Sequence, residues 1–163
     1  MQKLEELIAA LEKSVGPSRE LDADITLSVI PEFSGWIKHP NLKNDSPSWM
    51  YGDLWPDHQQ FHEWLMRKGA ALSVQAKPFT SSIDAAIALT ERLLPGWSWT
   101  TSDRNRRIIA PKREDGPWGA VNSPAWWDED ESDEYFEAFA STPAIALVLS
   151  TLRAKLSQEK NNA

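Results

Sequence analysis

The stretch PFTSSIDAAIALTERLLPGWSWT, Pro78 to Thr100, leaves this chain little choice of local structure. Ser81 or Ser82 can accept hydrogen bonds from the amides left unpaired at a helix start, and Asp84 suits the positive end of the helix dipole. Ile83, Ile87, Thr90 and Leu94 then recur on one side, with Ala86 and Leu93 beside them. Pro95-Gly96 supplies the stop, since proline cannot continue a helix and glycine tolerates the left-handed turn that follows one. Past the stop, Trp97, Trp99 and Thr101 alternate with Ser98 and Thr100, the period of a strand with one buried face. Trp97 and Trp99 are assigned to the core, because an indole buries a large apolar area.

The same grammar places the other elements. Leu4, Leu7, Ile8, Leu11 and Val15 have helical spacing up to Gly16-Pro17. Ser18 can cap a second helix with Leu21, Ile25 and Val29 on one face, closed by Pro31, so that the two form a helical hairpin. Thr142 and Pro143 are an N-cap and a first helical residue, leading a helix whose core face is Ile145, Val148, Leu149, Leu152 and Leu156. Ala71–Lys77, Arg106–Lys112 and Pro117–Val121 read as short strands, which predicts a small antiparallel sheet. Residues 33–55, rich in Pro, Gly, Asn, Ser and Trp, read as a long connection.

The expected fold is therefore α/β, an α+β sandwich in which a small antiparallel sheet packs with amphipathic helices. At 163 residues the chain suits one core, and residues 1–157 are taken as a single domain. Residues 158–163 are polar and expected to fray. There is no cysteine, which removes disulfides, thiolate zinc sites and cysteine nucleophiles. MQKLEELIAALEKSV is broken by charges every few residues and lacks the apolar run of a signal peptide or membrane span.

The formal charge of −7 is concentrated in one place. Asp128, Glu129, Asp130, Glu131, Asp133, Glu134 and Glu137 lie within residues 126–139 without a base among them, and the rest of the chain is balanced. Binding to a nucleic-acid backbone is not favoured by such a field. The run lacks the glycine and ligand spacing of a calcium loop and reads as a self-repelling insertion.

Three stretches taken together carry a family resemblance: LEELIAALEKSVGPSRELDADITLSV, PFTSSIDAAIALTERLLPGWSWT and STPAIALVLSTLRAKL. The order of helix pair, Ser-Ile-Asp-Ala-Ala helix, Gly-Trp strand and Thr-Pro-Ala-x-Ala-Leu helix resembles the bacteriophage proteins of the phage ABA sandwich domain family. The resemblance implies an α/β sandwich and a phage or prophage gene; with no cysteine and no apolar leader, action in the host cytoplasm is expected. It supplies no catalytic motif. The tryptophan-rich connection and the acidic insertion depart from the family pattern, and so are where features peculiar to this chain are expected.

Candidate chemistry is sparse. His58 and His62 stand one helical turn apart and could both reach one metal ion, with Asp57, Glu63 or His39 as a third ligand. The glutamate spacing of the helical zinc-protease motif is missing, and histidines flanking an apolar stripe such as Phe61, Trp64 and Leu65 are ordinary. No metal and no cofactor is expected. No nucleophile elbow or phosphate-binding glycine loop is present, and Ser81 and Ser82 are accounted for as caps. Asp22 and Asp24, two apart on a helix, diverge and read as a solvated face.

Binding fits the residues better than catalysis. Trp126, Trp127, Tyr135, Phe136 and Phe139 bracket the acids, a mixture suited to a basic, apolar groove on a protein partner. The alternative is internal neutralisation by Arg104, Arg106, Arg107, Lys112 and Arg113. Trp36, Trp49 and Trp55 either plug the core's edge or form a platform; with nearby arginines, a platform would suit a nucleotide-like ligand. The leading expectation is a non-catalytic accessory protein that binds a host or phage macromolecule through these two segments. Two others are an anti-defence protein that sequesters a nucleotide-type signal and a metal-dependent hydrolase centred on His58 and His62. A sheet edge or helix face covered by a second copy is also compatible.

Overall fold

The computed structural model describes residues 2–33, 37–38, 49–51, 73–103, 116–124 and 134–162. Along them run the helices α1 (Gln2–Glu12), α2 (Arg19–Val29), α3 (Ile83–Leu93) and α4 (Pro143–Asn161). The strands are β1 (Ile37–Lys38), β2 (Trp49–Tyr51), β3 (Ser73–Gln75), β4 (Ser98–Ser102), β5 (Trp118–Asn122) and β6 (Tyr135–Phe139), and Pro31–Phe33 makes one 3-10 turn. Both sheets are antiparallel, one ordered β1-β2-β3 and the other β4-β5-β6. The class is α+β, an antiparallel sheet packed with helices, as expected. These residues group into two compact units, Met1–Pro17 with Phe79–Ala163, and Ser18–Pro78. The expected helical pair thus contributes one helix to each unit.

The first unit is organised by α4. Thr142 caps it, its hydroxyl accepting from the Ile145 amide at 3.1 Å, and Pro143 takes the first turn. The single apolar face predicted for this helix is corrected: every residue from Ala144 to Leu152 is buried, while Leu156 is only half-buried. The helix packs against all three strands of its sheet and against both α1 and α3, so no side of that span meets water. Its two buried hydroxyls find partners without solvent. Ser150 donates within reach of the Ala146 and Gly119 carbonyls, at 2.9 and 2.7 Å. Thr151 reaches the Leu147 carbonyl at 2.9 Å and the Thr90 hydroxyl of α3 at 2.7 Å.

Of the polar end expected to fray, residues 158–161 are the last turn of α4. Its later turns are tied to α1 by Lys160 on Glu5 and Arg153 on Glu12, both at 2.8 Å. α1 buries Leu4, Leu7, Ile8 and Leu11 as predicted but stops at Glu12, and Val15 lies beyond it, 99% exposed. There Ser14 turns the chain, its amide donating to the Leu11 carbonyl and its hydroxyl to that of Gly16.

α3 is capped by Ser82, whose hydroxyl accepts from Ala85 at 3.2 Å. Its buried stripe is Ala86, Leu89 and Thr90, continued by Leu94, whereas Ile83 is 41% exposed. The helix is rotated relative to the predicted face because small Ala86 and hydrogen-bonding Thr90 suit a close approach to α4. Gly96, at φ 84°, then makes the turn into β4. Trp97 and Trp99 are half-buried rather than fully interior, a correction to their assignment as core.

In the second unit, Ser18 caps α2 by accepting from Leu21 at 3.3 Å, and Pro31 follows the C-cap Ile30. Ala23 and Ala76 form a small buried cluster against Leu27 and Phe33. The predicted solvated face does not hold for Asp22, which is fully buried; Asp24 is half-buried. Arg19 forks between the Asp22 carboxylate at 2.5 Å and the Ala76 carbonyl at 2.6 Å. A buried carboxylate needs such a partner, since an isolated charge out of water is costly. The predicted connection 33–55 contains β1 and β2, paired antiparallel through Ile37 opposite Tyr51.

Candidate interaction surface

Register divides the side chains of β4-β5-β6 between two faces. Trp99, Val121 and Phe136 stand side by side across the sheet, and next to them Thr101, Gly119 and Ala138. This face belongs to α4. The Thr101 hydroxyl lies 3.1 Å from the Pro143 carbonyl, and a Cβ on Gly119 would fall 2.5 Å from the Leu147 backbone nitrogen. Only glycine lets the helix and strand approach so closely.

The other face carries the rows Ser98-Asn122-Tyr135, Thr100-Ala120-Glu137 and Ser102-Trp118-Phe139. Three of these side chains converge. The Tyr135 hydroxyl donates to Glu137 Oε2 at 3.0 Å, and the Trp118 indole N–H approaches the same oxygen at 3.4 Å. A carboxylate accepting from two aromatic donors is held in one orientation with an apolar ring on either side. Tyr135 is 42% exposed, Trp118, Glu137 and Phe139 are half-buried, and Ala120 beneath them is closed off. The arrangement sets a carboxylate among aromatic rings on a partly exposed sheet face, a chemistry that suits contact with a group cationic and apolar at once.

The acidic insertion is partly a strand. Its last five residues are β6, paired with β5 through Gly119 opposite Ala138 and Val121 opposite Phe136. That corrects the reading of 126–139 as a self-repelling insertion throughout. Glu134 sits at the strand's entrance, its amide 3.3 Å from the Ser123 hydroxyl and its carbonyl accepting from the Ser123 amide.

The predicted site residues separate. Tyr135 is on the outer face, whereas its neighbour Phe136 points to the helix side and stacks on Trp97, with ring centroids 6.3 Å apart. Trp49 lies on β2 of the second unit, opposite Gln75. Trp36, Trp55, Arg104, Arg106, Arg107, Trp126, Trp127, His58 and His62 lie outside the described residues, as does the proposed neutralisation of the acids by arginines. Among the described residues no three His, Cys, Asp or Glu side chains gather as a metal site requires. None of the described helices is long and apolar enough to cross a membrane. Sequence reasoning missed Glu137 and Trp118 as a unit; the signal was the alternation of Tyr135, Glu137 and Phe139.

Compared with protein-family models, curated proteins and solved structures, the chain matches none of them.

Proposed function

We propose that this is a phage- or prophage-encoded accessory protein that acts in the host cytoplasm by binding a host or phage protein, without catalysis. The observation that carries the reading is the convergence of Tyr135 and Trp118 on the Glu137 carboxylate, on a sheet face entered directly from the acidic run. Aromatic rings around a fixed negative charge favour a basic, partly apolar surface on the partner. The phage origin rests on the ordered sequence resemblance, whose stretches fall on α1 and α2, on α3 with β4, and on α4.

Affinity capture from phage-infected cells, followed by titration of the identified and purified partner, tests the proposal. The expected result is one basic partner whose affinity falls at least tenfold with Glu137→Gln or Tyr135→Ala and declines with salt. A nucleotide that copurifies and is released intact on heating, or turnover abolished by His58→Ala, would replace this reading with sequestration or hydrolysis.

A further inference from the structure

The two edges of the β4-β5-β6 sheet are treated differently. In β5 the odd-numbered residues turn their backbone groups to β6, as the bonds from Ser123 to Glu134 and from Ala140 to Pro117 establish. The even ones therefore bond to β4, and on each edge strand the alternate residues point outward. On β6 these are Tyr135, Glu137 and Phe139. The Glu137 carbonyl accepts from Arg153 Nη1 at 2.6 Å, and Glu12 holds the same guanidinium at 2.8 Å. A charged side chain fixed across an edge blocks the addition of a further strand.

On β4 the outward residues are Trp99 and Thr101. Among the described residues nothing bonds to their outward amides and carbonyls. Ser98–Ser102 has no charge and no proline, and its register with β5 is unbroken over five residues. It lacks the usual devices that keep an edge from pairing.

We propose that β4 pairs antiparallel with β4 of a second copy of this chain, joining two three-stranded sheets into one of six strands. The sequence Ser-Trp-Thr-Thr-Ser is close to symmetric about Thr100. Pairing centred there sets Ser98 against Ser102, Thr100 against Thr100, and Trp99 against Thr101. The outward-facing residues are the ones thus matched, so each Trp99–Thr101 pair exchanges two hydrogen bonds and every open group on both edges is used. The faces also agree, with α4 on the same side of both halves. Charge favours this edge over the other: with five strand spacings between the two β6 strands, the Glu137 carboxylates of the two copies stand about 24 Å apart, beyond the Debye length of about 8 Å at physiological salt. An uncharged edge gives a charged foreign strand nothing to select.

Sedimentation of the intact protein tests this, with an expected mass twice that of the 18.4 kDa chain at micromolar concentration. Thr100→Lys, at an exposed position, is expected to halve that mass by setting two ammonium groups opposite each other, with an unchanged circular dichroism spectrum. The chain has no cysteine, so single cysteines report geometry cleanly. Thr100→Cys faces its own copy across about 4.5 Å between Cα atoms, within disulfide reach, and is expected to cross-link on mild oxidation. Ser98→Cys stands about 14 Å from its counterpart and is expected not to. A monomer at all concentrations, a dimer indifferent to Thr100→Lys, or a Thr100→Cys variant that cross-links no better than Ser98→Cys overturns the proposal.

Discussion

Gly119 of β5 and Leu147 of α4 meet backbone to backbone, with no room between them for a methyl group. The nearest atoms to an added Cβ are the Leu147 nitrogen and Cα and the Ala146 carbonyl carbon, none of which can swing aside. Gly119→Ala must therefore push the strand off the helix at the centre of the first unit. The expected loss is about 2–4 kcal/mol in chemical denaturation, whereas Gly16→Ala, with open space around it, should be nearly silent.

Thr90 and Thr151 share two protons among three contacts: their mutual 2.7 Å approach and one carbonyl each, Ala86 and Leu147, at 2.9 Å. Whichever hydroxyl is removed, the survivor can turn to its own helix. Thr90→Val and Thr151→Val should each cost about 1 kcal/mol. Their double-mutant cycle should show a coupling under about 0.5 kcal/mol despite the short contact. A coupling well above that in urea denaturation would mean the two hydroxyls act as one unit.

Arg19 donates to Asp22 with Nη1 and to the Ala76 carbonyl with Nη2. A lysine ammonium cannot reproduce the planar fork. Arg19→Lys should weaken the second unit by about 1–2 kcal/mol, read as faster hydrogen exchange of the α2 amides while those of α4 are unchanged.

Glu5 titrates below its ordinary 4.5, first because Lys160 hydrogen-bonds to its carboxylate and then through the charge of that ammonium. A carboxyl lowered in the folded state adds stability above its unfolded pKa and loses it as pH falls through the folded one. The contribution of this pair should therefore fade below about pH 4.5. In NMR titrations the Glu5 midpoint should return to the ordinary value in Lys160→Met, and added salt should narrow the difference between the two proteins.

Cap chemistry was legible because it is local. Ser18, Ser82 and Thr142 each accept from the amide three residues ahead, and the side chain and spacing that do so are visible in any sequence. Burial on all sides of α4 was not, because Ala144, Ala146, Leu147 and Ser150 become interior only through what packs on them. Asp22 was misread for a similar reason: Arg19 is close to it in sequence, but the Ala76 carbonyl that also holds the guanidinium lies 57 residues beyond Arg19. β6 was hidden by its acids, whose charge suggested repulsion while Phe136 and Ala138 carried the strand period. Of the candidate surface, Tyr135 was named from sequence, but together with Phe136, which faces the helix side, and the meeting of Trp118 with Glu137, 19 residues apart, needed the register of two strands.

Because α4 fills the middle of its unit, the earlier elements of that unit have nothing to close upon until it is made. α1 is bound to it across 141 positions, through Glu12 and Arg153. On a ribosome the apolar stripe of α1 would therefore wait until residues some 141 positions later are made, a long-range dependence that slows folding and prolongs exposure of Leu4, Leu7 and Leu11. A helix that arrives so late acts as the keystone of the arch: it bears on every neighbour, and none of them stands in its final place without it.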